Sequence, residues 1–281
     1  MPPLSEPSAA RRLPPPPARD RFLAAYRRGG WRGFSRLYGL LKSRRGEARL
    51  RVICRYGTQF DLDPWDYVDG HVIAHGFYES EVLEAVRPAL GAGAVLWVVG
   101  ANFGLHAVTA KRLHPDARVV AFEPFPAMAA RLAAHAALNG VEIELQAFAL
   151  SDSDGVRPFF INASGNPAMS TLHPDPAGRY DGRLSVTTRT GTAVIAEGAA
   201  PAPTAAIIDA EGAEAEILRG LGSHLRAPAL RSIVFEAPNE FLRSRHPAAV
   251  FAPLADAGFA IDRLDRREPT AHTLSNFLAH R

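Results

Sequence analysis

Residues 95–104 read VLWVVGANFG, and this stretch decides the fold. Five consecutive apolar residues predict a strand buried on both faces. Gly100 and Gly104 bracket Ala101-Asn102-Phe103, and GLHAVTAKRLH behind them carries helical periodicity. Glycines at such a turn admit dihedrals closed to other residues and let a ligand approach the backbone, while the start of the helix offers unpaired N–H groups. Asn102 stands where the dinucleotide fingerprint G-x-G-x-x-G has its second glycine, so a pyrophosphate fits less well than a smaller, differently charged ligand. Val98 occupies a place where many such loops carry an acid.

Working outward, RVVAFEP (118–124) predicts a second strand that ends on Glu123, 23 residues after Gly100. An acid at that position reaches the hydroxyls of a bound ribose. Strand, Gly-loop, helix, strand and acid together point to a nucleoside-containing cofactor. The alternation continues on both sides. ESEVLEAVRPAL is helical, PAMAARLAAHAALNG is a helix closed by an Asn-Gly stop, and VEIELQAF is a third strand. TAAIID is a fourth strand, AEAEILRGL a helix and RSIVFEA a fifth strand, while FAIDRLD and TLSNFLA predict a closing antiparallel pair. Strands alternating with helices imply an α/β, doubly wound parallel sheet whose ligands bind beyond the carboxyl ends of the strands. Residues 151–182, rich in Gly, Pro and Asn, predict a hairpin with a flap rather than a second domain.

The 281 residues suffice for one large domain with an extension, and 47% apolar against 22% charged residues is ordinary globular composition. The net charge of +3 is uneven. Residues 1–50 hold 12 Lys and Arg against three acids, leaving 20 basic and 26 acidic residues for the rest. Residues 1–20 predict a disordered Pro-rich tail, and residues 21–64 a basic, partly helical extension with Trp31, Phe34, Tyr38 and Leu41 at helical spacing. Such an arm is compatible with an anionic membrane surface or nucleic acid. Docking on the main domain, with the arginines in water, is the favoured expectation. No apolar run reaches a membrane span. The single cysteine, Cys54, excludes an intramolecular disulfide and a cysteine metal cluster, and fits a reducing cytoplasm.

The stretches GFYESEVLEAVRPALGAGAVLWVVGANFG, VVAFEP, LNG, FALSDSDG, IIDAEGAEAEILRG and IVFEAPNE, in this order, resemble the FkbM family of S-adenosylmethionine-dependent methyltransferases. The resemblance covers residues 65–281 and implies a seven-stranded class I methyltransferase (Rossmann-like) sheet that O-methylates a small metabolite, natural product or saccharide. It implies that Gly100, Asn102 and Gly104 line the methionine and ribose part of the cofactor, and that Glu123 holds the ribose. It further places Ala149, Leu150, Ser151 and Asp152 near the adenine, and Tyr78 and Glu79 at the cofactor's entry. The chain departs from the family pattern at Val98, usually Asp; at Ile207, usually Lys; and at Thr192, where an aspartate is common. Loss of the acid at 98 removes a partner for loop N–H groups, on the scale of about 1–3 kcal/mol for a charged hydrogen bond.

Asp209, Glu211 and Glu214 crowd IIDAEGAE at the end of the fourth strand. The switch-point rule places Asp209 at the pocket, where it orients an acceptor hydroxyl or takes its proton, with Glu211 beside it. A helix-capping role is the alternative, and it suffices for Glu214. Glu236 borders the acceptor pocket or faces solvent; His106 and His173 are weaker candidates for a base. The histidines show no zinc spacing, and no further oxygen-ligand spacing supports Mg²⁺ on the paired acids, so no metal is expected. Two other classes compete: a non-catalytic scaffold that keeps the fold, and a nicotinamide-dependent oxidoreductase, which the missing fingerprint disfavours. A nucleic-acid methylase predicts steeply salt-dependent binding.

Overall fold

The computed structural model describes residues 49–162, 166–174, 180–238, 249–264 and 274–281. The expected Pro-rich tail and most of the basic extension lie outside these residues. The described chain opens on a hairpin, β1 (Leu50–Ile53) and β2 (Gln59–Leu62), followed by helices α1 (Tyr67–His75) and α2 (Ser80–Val86). Sequence periodicity extends the second helix to residue 90, but the structure tightens into a 3₁₀ turn over Arg87–Ala89. Pro88 lacks the N–H that another α-turn requires.

Next come β3 (Val95–Val99), α3 (Leu105–Leu113), β4 (Arg118–Phe122), α4 (Pro126–Asn139) and β5 (Glu144–Gln146). The Asn-Gly stop acts as expected: Gly140 adopts a φ of 62° and its N–H caps the carbonyls of Ala136 and Ala137. β5 is shorter than the third strand expected over 141–148. Among the described residues it pairs only with β4, and from Ala149 the chain enters a second sheet as β6 (Ala149–Ser151). There β8 (Gly182–Thr190) lies between β6 and β7 (Gly155–Ile161), so the anticipated hairpin recruits a third strand.

After α5 (Gly191–Ala196) follow β9 (Ala205–Ile208), α6 (Glu214–Gly220), β10 (Ser232–Pro238), α7 (Phe251–Asp256), β11 (Ala260–Arg263) and β12 (Leu274–His280). The seven-stranded sheet has the order β11-β12-β10-β9-β3-β4-β5, with β12 antiparallel to both neighbours. Along the central strands side chains alternate between two cores. Leu96, Val98, Ala121, Ala205 and Ile207 meet α2, α3 and α4 on one face. Trp97, Val99, Phe122, Ala206 and Ile208 meet α5, α6 and α7 on the other. Each such large side chain contributes about 1.5–3 kcal/mol when fully buried, which explains the nearly unbroken apolar strands read from the sequence.

The chain runs β3 to β4 to β5 in one direction, then returns to β9 on the far side of β3. The strand order therefore reverses between β3 and β9, and a crevice opens at their carboxyl ends.

Candidate active site

Two features close the bottom of the crevice. The Asp209 N–H donates to the Val99 carbonyl at 3.0 Å, joining the ends of β9 and β3. Gly100, at a φ of 74°, then passes so close that an added Cβ would sit 1.7 Å from the Asp209 carbonyl oxygen. Only glycine fits. Gly104 plays a second packing role: a Cβ there would lie 2.8 Å from Leu132 of α4.

Every N–H of the loop has a partner. Those of Gly100 and Ala101 donate to the Phe122 carbonyl at 3.0 and 3.1 Å, and that of Gly104 donates to the Ala101 carbonyl at 2.9 Å. Asn102, at a φ of 49°, accepts the Phe103 N–H on its own side chain at 2.8 Å. Its own N–H donates to Glu123 Oε2 at 2.7 Å, and the Phe125 N–H to Glu123 Oε1 at the same distance. Burial nevertheless pushes the Glu123 carboxyl up to about 7. The loop N–H groups expected to lose a partner at Val98 are thus satisfied without an acid there. Val98 and Ile207 are register partners on adjacent strands, 3% and 2% exposed, and both border the crevice. The departures from Asp and Lys therefore fall on one contact, where an apolar pair occupies the place of two opposite charges.

The crevice has two lobes that share Gly100, Asn102, Ala168, Asp209 and Glu211. One is lined by Glu123, Phe125, Met128, Ala149, Leu150 and Phe159. The other is lined by Tyr78, Glu79, Val98, His106, Ile207 and Glu236. Ten of the twelve site residues expected from sequence fall on the crevice or its loop. Ser151 and Asp152 do not. Ser151 is fully buried and its hydroxyl donates to Glu216 at 2.8 Å, while Asp152 pairs at the surface with Arg219 at 2.9 Å. Their side chains are held by α6, which turns them away from the crevice.

Asp209, Glu211 and Glu236 face one another, with one carboxylate oxygen from each inside a sphere of 4.8 Å separations. Burial, then the charges of Glu236, Glu211 and Glu79, raises the Asp209 carboxyl well above the usual range. Burial, then Glu214 and Glu79, lifts Glu211 to about 7, and burial, then Glu211, Glu79 and Glu214, lifts Glu236 to about 9. Carboxyls this close and this buried share protons near neutral pH. Glu236 is the member that sequence spacing leaves undecided; the register of β10 against β9 settles its place. Tyr78 is also pushed up, by burial first and then by the Glu79 and Asp209 charges.

The remaining acids and histidines have other tasks. Glu214 accepts the N–H groups of Ala210 and Gly212 at 2.9 and 3.3 Å and so shapes the turn before α6. Burial holds His106 neutral, near 4, and its Nε2 lies 3.3 Å from the Glu79 carbonyl oxygen. His173 sits 3.0 Å from Glu216, which also binds Arg157. Thr171 beside it donates its hydroxyl to the Glu211 carbonyl at 2.7 Å, tying the segment after β7 to the reaction end of the crevice.

A seven-stranded doubly wound sheet with one antiparallel strand, a Gly-loop and an acid on the next strand define a Rossmann-like α/β domain, here with an acidic lobe beside the loop. Residues 99–261, more than half of the chain, match the methyltransferase FkbM domain model. The chain belongs to that family. It is 31% identical over 153 residues to the hexuronic acid methyltransferase AglP of Haloferax volcanii, a match covering 53% of this chain and 59% of that protein. To the 31-O-demethyl-FK506 methyltransferase FkbM of Streptomyces tacrolimicus it is 40% identical over 91 residues, covering 32% and 34% respectively. To the methyltransferase sdnD of Sordaria araneosa it is 32% identical over 215 residues, covering 65% and 79%. The chain thus spans 59% and 34% of the first two relatives' lengths.

Proposed function

We propose that this chain is an S-adenosylmethionine-dependent O-methyltransferase acting on a hydroxyl of a small metabolite, natural product or saccharide. The observation that carries the reading is the two-lobed crevice: Glu123 and the Gly-loop on one side and the Asp209–Glu211–Glu236 cluster on the other share five lining residues. The residues present fit the cofactor. Glu123 keeps unused lone pairs for ribose hydroxyls beyond the two N–H groups it accepts. Ala149, Leu150, Phe125 and Met128 supply an apolar bed for a base, and the nearby acids complement a sulfonium and an amino group. When bound, S-adenosylmethionine supplies an activated methyl group, so alignment delivers much of the acceleration.

The protein's own part is orientation and proton acceptance. Asp209 faces both lobes and takes the acceptor's hydroxyl proton, while Glu211 and Glu236 share it within the cluster. Carboxyls raised above their ordinary range are stronger bases once ionised, which suits a poorly acidic alcohol. Tyr78 and Glu79 border the acceptor lobe. A cytoplasmic setting accords with a single, buried cysteine whose thiol burial pushes up to about 12. Among the described residues no helix is long and apolar enough to cross a membrane.

Asp209→Asn tests the assignment. Methyl transfer from labelled S-adenosylmethionine to an acceptor panel should fall by roughly 10²–10⁴, the range of a lost general base, while S-adenosylhomocysteine still binds. Transfer at the wild-type rate would remove Asp209 from the mechanism, and absence of transfer by a wild type that binds the cofactor would favour a scaffold.

A further inference from the structure

The family match begins at Val99, yet the rear support of the Gly-loop also draws on residues well before it. His135 of α4, 2% exposed, accepts the Asp61 N–H of β2 on its Nε2 at 3.1 Å. Nε2 also lies 3.3 Å from the Asp61 carbonyl, but the shorter contact with the N–H assigns the lone pair to Nε2 and the hydrogen to Nδ1, which donates to the Phe103 carbonyl at 2.8 Å. A neutral imidazole thus bridges the hairpin and the loop. Burial, the first cause, lowers the His135 value and favours that form.

The Phe103 ring is boxed in from the same side. Phe60 of β2 and the His135 ring meet it edge-on at 5.9 and 5.8 Å, and the Arg131 guanidinium lies 4.8 Å from its centre. Arg131 in turn pairs with Asp69 of α1 at 2.6 Å, both essentially buried. Asn139 clasps the backbone of Gln59, accepting its N–H at 2.8 Å and donating to its carbonyl at 2.7 Å. Phe103 follows Asn102, whose N–H is held in front by Glu123. The loop is consequently gripped from both sides, by Glu123 in front and by the hairpin, α1 and α4 behind.

We propose that the β1–β2 hairpin is a working part of the cofactor site, and that His135 and Arg131 are positioning residues through which it fixes Phe103 and hence Asn102. The inference rests on the cofactor reading given above, although the latch itself is a property of the protein alone. One hydrogen bond to the Phe103 carbonyl and one cation over its ring act directly on the loop's geometry.

The test uses the full chain and three variants. His135→Phe keeps a ring against Phe60 and Phe103 but removes both hydrogen bonds; His135→Gln can restore one donor and one acceptor. Leu254→Ala opens a cavity in α7, on the other face of the sheet, as a control for lost stability. Amide hydrogen exchange over residues 100–104 is measured without ligand, and S-adenosylhomocysteine binding by calorimetry. His135→Phe should speed loop exchange and weaken binding by about tenfold, roughly the loss of one hydrogen bond to a fixed group, with His135→Gln recovering most of both. Leu254→Ala should lower the melting temperature while moving neither. Unchanged exchange and affinity in His135→Phe, or equal shifts in Leu254→Ala, would overturn the proposal. Loop release in His135→Phe together with no binding by the wild type would uphold the latch and overturn the cofactor reading.

Discussion

At the scale of single residues, the crevice depends on contacts that spacing alone reveals unevenly. Glu123 and Asp209 are legible because each ends a strand, and a strand end is where a doubly wound sheet presents side chains to ligand. Glu236 ends a strand too, but only the pairing of β10 with β9 brings it against Asp209 and Glu211. Ser151 and Asp152 mislead for the converse reason, since their directions are set by Glu216 and Arg219, more than 60 residues away. Val98 reads as a loss until register shows Ile207 beside it. A buried ion pair replaced by packed apolar residues is often neutral or stabilising, whereas one unpartnered charge costs about 3–5 kcal/mol. Val98→Asp should therefore lower stability by that order in urea denaturation, and adding Ile207→Lys should recover part of it. A Val98→Asp protein as stable as wild type would show that the apolar pair is not the compensation described here.

At the scale of elements, the central strands and α3, α4 and α6 follow from unbroken apolar runs, helical spacing and stop signals such as Asn139-Gly140. The β1–β2 hairpin was not legible, because its strands are four residues each and their fixing partners, Thr109, His135 and Asn139, lie 51 to 80 residues away. The segment after β7 reads as a flap in the sequence, and a threonine anchors it. Thr171 donates to the Glu211 carbonyl and accepts the His173 N–H at 2.9 Å, while Glu211 holds a φ of 49° that few residues adopt unaided. Thr171→Val removes both bonds with little change of shape. It should cost about 1–2 kcal/mol, speed hydrogen exchange at residues 166–174, and lower the methyl-transfer rate more than it weakens cofactor binding. Equal exchange in the two proteins would mean that the flap is held by other contacts.

At the scale of the whole molecule, the acids of the crevice couple folding to pH. Glu123 and Glu211 titrate at about 7 and Glu236 at about 9 in the folded protein, all raised above the ordinary carboxylate value. A raised carboxyl value means that the folded state holds protons the unfolded chain has released. Its stabilising effect is complete below the unfolded value and is lost as pH rises through the folded one. The buried histidines, His106 and His135, are shifted downward and act below about 6.5, the ordinary histidine value, so they do not oppose this trend at higher pH. Glu123 and Glu211 have lost most of their share by about pH 7, so the ligand-free melting temperature should go on falling between about pH 7 and 9 through Glu236 and the raised Asp209, and Glu236→Gln should flatten that fall. An unchanged slope in the variant would place the titrating group elsewhere. Whether the Gly-loop and Glu123 form a working cofactor site, although the strand before them ends without an acid, is decided by calorimetric titration of wild type and Glu123→Ala with S-adenosylhomocysteine. The wild type should bind, and the variant should lose at least about tenfold, the scale of a charged hydrogen bond to ribose. Failure of the folded wild type to bind, or equal binding by Glu123→Ala, would contradict that site.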